Sequence, residues 1–203
     1  YMLAYPLFSE SAVAQKISNV WLIALMPVLI LYFSAINLRI GQYGITAERY
    51  FVVILGVFYF SICLYLLASK KKNIILVPLI FSVLALVGNF GPLSAHSISQ
   101  WSQLGRLEKL AITEGVLKDG KLTSIKISAE NENAQEIQAI IHYLVSQYGT
   151  ESLEKWLPED LKTKLAFTEK YEKPQEIVVY IFGEQLPIKE TPKSHRYIST
   201  KDS

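Results

Sequence analysis

Charged residues are missing from three long stretches in the first half of this chain, and their absence constrains the fold strongly. Asp, Glu, Lys and Arg are all absent from residues 17–38, 50–69 and 73–105. A helix rises about 1.5 Å per residue, so roughly 20 apolar residues match a hydrocarbon core about 30 Å thick. The sequence therefore predicts three transmembrane helices, at about 17–38, 50–69 and 73–90. The competing interpretation, three buried helices of a soluble protein, would leave too little polar surface.

The second half of the chain carries most of the charge and predicts a small soluble α+β domain over residues 92–188. Apolar spacing predicts helices at 94–113 and 134–148. The segment 176–182 is rich in Val, Ile and Tyr and predicts a strand, with 165–171 as a weaker partner. The predicted fold is thus a membrane α-helical part of three transmembrane helices followed by this domain.

Several residue types mark the expected ends of these elements. Thr46 is a predicted N-cap for the second span, and Asn133 with Glu136 resembles a cap pair for the helix that follows. Gly149 is expected to end that helix, and Asp119-Gly120 is a turn signal.

The two ends of the chain fit neither part. Residues 1–16 are predicted to be the end of an upstream span or an interfacial loop, so upstream transmembrane helices of the same protein are expected partners, along with the lipid bilayer. Residues 189–203 contain few apolar side chains and predict a disordered tail.

Two arginines and two tyrosines cluster in the connection between the first two spans, namely Arg39, Tyr43, Arg49 and Tyr50. Arg and Tyr are common anchors at headgroup depth. Two guanidinium groups can also bind an anionic group, such as a lipid phosphate or an acidic side chain. Both interpretations remain open, and the four residues are candidate contacts for an anionic group or a lipid headgroup.

A second candidate surface follows the third span. Ser102, Gln103 and Arg106 are polar residues of the predicted helix 94–113, close in sequence to the membrane. They are candidates for a membrane-proximal polar face, although ordinary solvation also explains such residues.

Other chemistry is sparse. The histidines at 96, 142 and 195 are far apart without Cys or carboxylates at metal-ligand spacing, so neither a metal nor a catalytic group is predicted. His142 is expected at the edge of the domain core. No cofactor motif occurs, and a net charge of +2 without a basic stripe gives no reason to expect nucleic acid.

The loop Lys70-Lys71-Lys72 bears on the sidedness of the chain. Cytoplasmic loops are enriched in Lys and Arg, so this loop favours the cytoplasm and an extracytoplasmic soluble domain. A count of every Lys and Arg that flanks a span gives four on each side of the membrane. Only the clustering of the three lysines therefore favours this orientation. The predicted location is the cell membrane, as a multi-pass protein.

Two stretches of sequence resemble a known family. The first contains Arg39-Ile40, Gln42-Tyr43-Gly44-Ile45-Thr46 and Arg49-Tyr50. The second contains Phe90-Gly91-Pro92, Ser97-Ile98-Ser99, Ser102-Gln103-Leu104, Arg106-Leu107-Glu108, Gly115-Val116-Leu117 and Asp119-Gly120-Lys121-Leu122. Together they resemble the family called domain of unknown function 4153, over roughly residues 32–158. The resemblance implies an uncharacterised bacterial multi-pass membrane protein whose last spans lead into a soluble C-terminal region, and it implies no activity.

Two functions remain open from the sequence. The first is a non-enzymatic protein of the bacterial cell envelope that displays an interaction or sensing domain to an unidentified protein partner. The alternative is a transporter or membrane enzyme whose working residues lie in upstream spans.

Overall fold

The computed structural model describes residues 12–69, 73–125 and 131–183, with the backbone alone for residues 12–19. The predictions for residues 1–11, for the lysines 70–72 and for the tail 189–203 lie outside these ranges. The chain divides into two compact units, an N-terminal unit that ends at Gln103 and a C-terminal unit that begins at Leu104. Each unit is described by itself.

The N-terminal unit is built from helices. They are α1 (Ala12–Tyr43), α2 (Ala47–Ala68), α3 (Leu76–Asn89) and the first half of α4 (Ala95–Thr113). By length and composition, α2 and the 24-residue part of α1 from Val20 to Tyr43 can cross a membrane. The third predicted span corresponds to α3, which has only 14 residues. Two candidate spans are thus found in the described chain, and the third stays a prediction.

Local signals explain where these helices begin. The predicted N-cap is confirmed, because the Thr46 side chain accepts a hydrogen bond from the Arg49 backbone N–H at 3.5 Å. Glu48 follows in the first turn, where the helix dipole favours a negative charge. Pro27 lies inside α1, whereas Pro78 lies in the first turn of α3, where its missing N–H removes no helical hydrogen bond.

Two glycines allow the three apolar helices to pack closely. A Cβ atom on Gly56 of α2 would lie 2.6 Å from a ring carbon of Tyr32 and 3.0 Å from one of Phe33, both on α1. A Cβ atom on Gly88 of α3 would lie 2.7 Å from the Ile54 side chain of α2. Helix α2 therefore receives aromatic side chains from α1 and inserts an aliphatic one against α3.

The C-terminal unit combines short helices with a small hairpin. Its elements after α4 are β1 (Leu117–Lys118), β2 (Lys121–Leu122), α5 (Glu132–Tyr148), a 3₁₀ turn (Thr150–Leu153), α6 (Glu159–Ala166) and α7 (Lys173–Phe182). The strands are antiparallel, with Leu117 opposite Leu122. Asp119 and Gly120 both have positive φ, which suits a two-residue hairpin turn and confirms the predicted turn. The described chain is mostly helical, with this two-stranded sheet.

The core of the C-terminal unit lies between α5 and α7. Ile137, Ile141 and Leu144 of α5 and Ile177 and Ile181 of α7 are completely buried. Spacings of three and four residues place each set on one face of its helix. Burial of one such side chain stabilises the fold by about 1.5–3 kcal/mol before entropy is counted.

The two predicted strands of this unit are wrong. Residues 176–182 belong to α7, and α6 ends at Ala166, within the segment 165–171. Helix α7 begins beside Pro174 and ends at Gly183, whose φ of 77° is left-handed. Burial of its β-branched residues on one helix face outweighs their strand propensity, which is a weak preference.

The N-terminus of α5 also differs from the prediction. The cap is Asn131, whose side-chain oxygen accepts hydrogen bonds from the backbone N–H groups of Asn133 at 2.8 Å and Ala134 at 3.2 Å. The predicted cap pair of Asn133 and Glu136 is therefore wrong. The predicted end is confirmed, because Gly149 follows the last helical residue with φ at 78°.

Replacing buried Ile141 with alanine is expected to destabilise the C-terminal unit by about 2–5 kcal/mol, because it leaves a cavity in the core. Ile112→Ala is the matched control, since 59% of Ile112 is exposed, and it should change stability by less than about 1 kcal/mol. Thermal unfolding of the whole detergent-solubilised chain, with hydrogen exchange of the α5 amides, measures both. Equal effects of the two substitutions would contradict the described core.

Candidate functional site

The connection between α1 and α2 is a three-residue loop that only glycine can begin. Gly44 has φ at 72°, and its N–H donates to the Ile40 carbonyl at 2.8 Å. A Cβ atom at this position would lie 2.9 Å from Nε2 of Gln103 and 3.4 Å from Oγ of Ser102. The loop therefore needs glycine both for its left-handed backbone and for the close approach of α4.

Two side chains of α4 hydrogen-bond to the backbone of this loop. Nε2 of Gln103 donates to the carbonyls of Tyr43 and Ile45, both at 3.1 Å. Oγ of Ser102 accepts from the Ile45 N–H at 3.0 Å. Gln103 is only 3% exposed, so its amide satisfies carbonyls that would otherwise be costly to bury.

Arg49 holds the same loop from the α2 side. Its Nη1 donates to the carbonyls of Gly44 at 2.9 Å and of Tyr43 at 3.3 Å. Its guanidinium carbon lies 5.4 Å from the centre of the Tyr43 ring, within the range of a cation–π interaction. The half-buried Arg49 thus binds loop carbonyls and positions the Tyr43 ring.

Arg39 has a different environment. It is exposed on α1, one turn before Tyr43, so both side chains lie on the same helix face. Its guanidinium makes no ion pair or hydrogen bond with any other described residue. Of the four residues predicted as anion contacts, Tyr43 thus has Arg49 over its ring and Arg39 one turn earlier on α1. The Tyr50 hydroxyl donates to the Leu93 carbonyl instead.

The three residues predicted as a membrane-proximal polar face contact two different parts of the chain. Ser102 and Gln103 hold the loop, as described above. Arg106, in the C-terminal unit, forms an ion pair with Glu136 of α5. Their proximity to a membrane stays a prediction.

Sequence reasoning missed the burial of Gln103. Its partners lie 58 and 60 residues away, so no local periodicity could reveal the contact. A signal was present, however. Gly44 belongs to one of the two stretches that carry the family resemblance and Gln103 belongs to the other, and the two stretches touch here.

An open groove of about 550 Å³ lies on another face of α1. It is lined by Ile30, Phe33, Ser34, Ile36, Asn37, Ile40 and Val53. Most of this lining is apolar, and the Ser34 hydroxyl donates to the Ile30 carbonyl of its own helix. The groove therefore favours contact with apolar chains.

Within residues 12–69, 73–125 and 131–183, no three His, Cys, Asp or Glu side chains are grouped to hold a metal ion. His142 is half-buried, with Nε2 3.2 Å from Oε1 of Gln175, which agrees with its predicted place at the core edge.

The family model described as "Domain of unknown function (DUF4153)" matches residues 4–122, more than half of the chain. The chain therefore belongs to this family. The matched residues include the whole loop and the residues of α4 that hold the loop. Helices α5, α6 and α7 lie after the matched residues. No curated protein and no solved structure matches the chain.

Replacing Gly44 with alanine is expected to lower the stability of the N-terminal unit by at least about 1–2 kcal/mol, the cost of a left-handed backbone with a Cβ atom. Gly41→Ala is the matched control, because Gly41 is helical and nothing lies within 4 Å of an added Cβ. That substitution should be neutral or stabilise by about 0.5–1 kcal/mol. Thermal unfolding in detergent measures the stability of both variants. A Gly44→Ala variant as stable as the Gly41→Ala variant would contradict the loop geometry.

Replacing Gln103 with glutamate is expected to destabilise the loop more than replacing it with leucine. Leucine leaves the Ile45 carbonyl without a side-chain donor and the Tyr43 carbonyl with Arg49 alone, at a cost of about 1–3 kcal/mol, whereas an ionised carboxylate also repels both carbonyls. Gln147→Glu, at an exposed position of α5, controls for the added charge. Melting temperatures at neutral pH provide the comparison, and a Gln103→Glu variant as stable as its control would be inconsistent with amide donation.

Proposed function

We propose that this chain is part of a multi-pass cell-membrane protein whose C-terminal unit lies outside the bilayer and serves interaction or sensing rather than catalysis. The observation that carries the proposal is a contrast in exposure. Large apolar side chains are exposed along α1, α2 and α3, whereas α5 and α7 bury theirs in a closed core. Apolar surface of this extent is favourable in lipid and unfavourable in water.

The exposure of α1 supports lipid as its surroundings. Trp21, Ile30, Leu31 and Leu38 each have 66% or more of their surface exposed. Trp21 and Ile30 are nine residues apart in sequence, about two and a half helical turns, so they point to opposite sides. A bilayer covers both sides at once.

Helix α3 is proposed as the third span although its 14 residues extend only about 21 Å. Exposed apolar residues continue the stretch at both ends, with Ile74 and Ile75 before the helix and Phe90 and Leu93 after it. Residues 74–93 thus form an uncharged stretch of about 20 residues, and a bilayer thins locally around a short helix at modest cost.

The proposed sidedness is supported by the two ends of α2. The contact between Tyr50 and Leu93 brings the start of α2 and the end of α3 to one end of the helix bundle. Residues 70–72, three lysines, follow the other end of α2 and favour the cytoplasm. The chain after Leu93 would then leave the membrane on the extracytoplasmic side.

An interaction role is supported by two exposed aromatic side chains between α6 and α7. Phe167 is 89% exposed and Tyr171 is 73% exposed. The pKa of Tyr171 is raised by the neighbouring carboxylates of Glu169 and Glu172. Aromatic residues are enriched in protein interfaces, so these two exposed rings favour a protein partner.

Cysteine labelling tests the insertion, the third span and the sidedness together. Asn73→Cys and Glu154→Cys, each in a Cys63→Ala background, are treated in spheroplasts with a membrane-impermeant maleimide. Position 154 should react at once, and position 73 only after permeabilisation. Reaction of both from the same side would contradict a membrane-spanning α3, and the opposite pattern would reverse the sidedness. Release of the chain from membranes by alkaline carbonate would contradict insertion itself.

Site-specific crosslinking tests the interaction role. A photoreactive phenylalanine analogue replaces Phe167 or Tyr171 in the intact membrane, with exposed Lys155 as the control position. The two aromatic positions should capture the same protein, and Lys155 should not. Capture no greater than at Lys155 would contradict an interaction surface here.

A further inference from the structure

We propose that Arg39 and Tyr43 bind the phosphate of an anionic glycerophospholipid, while Arg49 is a positioning residue that holds the Tyr43 ring. The proposal rests on the proposed membrane insertion of α1 and α2. It assigns different roles to two arginines that look equivalent in the sequence.

The hydrogen bonds of Arg49 give it a structural role. Its Nη1 bonds two loop carbonyls, and the guanidinium lies over the Tyr43 ring. A guanidinium that donates to two loop carbonyls would lose these hydrogen bonds if it turned towards an anion outside the protein. Its charge nevertheless stays close to Tyr43 and adds to the positive potential there.

Arg39 is suited to bind an anion from outside the protein. It is exposed, no other described residue pairs with its guanidinium, and Tyr43 lies one turn further along the same face with 58% of its surface exposed. A guanidinium offers several donors to phosphate oxygens, and a tyrosine hydroxyl can donate one more hydrogen bond. Exposed Leu38 beside Arg39 provides apolar surface for an acyl chain.

The depth of Arg39 matches that of a lipid phosphate. The uncharged stretch that precedes Arg39 runs from residue 17 to Leu38, and its 22 residues correspond to about 33 Å of helix. That length spans a hydrocarbon core about 30 Å thick, so the Arg39 side chain reaches the headgroup layer. An acidic side chain of another protein would fit the charge but would not explain this depth.

The local charge is positive. Residues 39–50 contain two arginines and one acidic residue, the exposed Glu48 in the first turn of α2. The surplus of one positive charge favours anionic over zwitterionic headgroups, and each basic residue near a membrane surface contributes about 1 kcal/mol.

Native mass spectrometry of the whole purified chain tests the assignment. The protein is delipidated in detergent and titrated with phosphatidylglycerol or phosphatidylcholine. Wild type should retain phosphatidylglycerol preferentially, and Arg39→Gln should weaken that retention about fivefold, the equivalent of about 1 kcal/mol, without changing phosphatidylcholine retention. The Arg39→Lys variant should retain phosphatidylglycerol less well than wild type and better than Arg39→Gln.

The control variants separate charge from position. Arg49→Gln should lower the melting temperature while changing phosphatidylglycerol retention less than Arg39→Gln does. Lys118→Gln removes an exposed cation from β1 and should have no effect on either quantity. Equal retention by wild type and Arg39→Gln, or an equal loss in Lys118→Gln, would overturn the proposal, as would an Arg39-dependent copurifying polypeptide without lipid preference.

Alkaline extraction distinguishes a failure of the lipid-binding proposal from a failure of the proposed function. A chain that stays in the membrane pellet but shows no headgroup preference contradicts only the lipid site. A chain that is released contradicts both proposals.

Discussion

The hydrogen bonds from Gln103 to the carbonyls of Tyr43 and Ile45 determine how the chain reverses between α1 and α2. A chain that leaves one apolar helix and enters the next exposes backbone groups with no helical partner. Here an amide from α4 satisfies two of them and Arg49 adds donors to the same region. The left-handed Gly44 makes room for this arrangement. The fold of the connection between α1 and α2 therefore depends on one glycine and one buried amide.

Much of the fold could be predicted from where charge is absent and where turns are favoured. The two long apolar helices followed from uncharged length, the hairpin from Asp119-Gly120, and α5 from apolar spacing. Helix α7 was mistaken for a strand because Ile, Val and Tyr dominate residues 176–182. Pro174 and Gly183 at its two ends were the better signals, since they reflect backbone geometry rather than a weak propensity.

The candidate site was predictable in its residue types but not in their roles. Arg39, Tyr43 and Arg49 were recognised as a cluster from sequence alone, and the structure places Arg49 over the Tyr43 ring, with Arg39 one turn before Tyr43. The difference between the two arginines depends on which one finds a backbone carbonyl, and that follows from the loop conformation. Gln103 looked like an ordinary surface residue because its partners are distant in sequence and its burial arises only from tertiary contact.

The close packing at Gly56 has a consequence for biosynthesis. Translation produces α1 before α2, so Tyr32 and Phe33 have no glycine to pack against until position 56 has been synthesised. During that interval the face of α1 that later packs on α2 lacks its partner within the chain. A larger residue at position 56 would clash with these rings and leave the unpacked state more populated, so more of the newly made protein would be degraded.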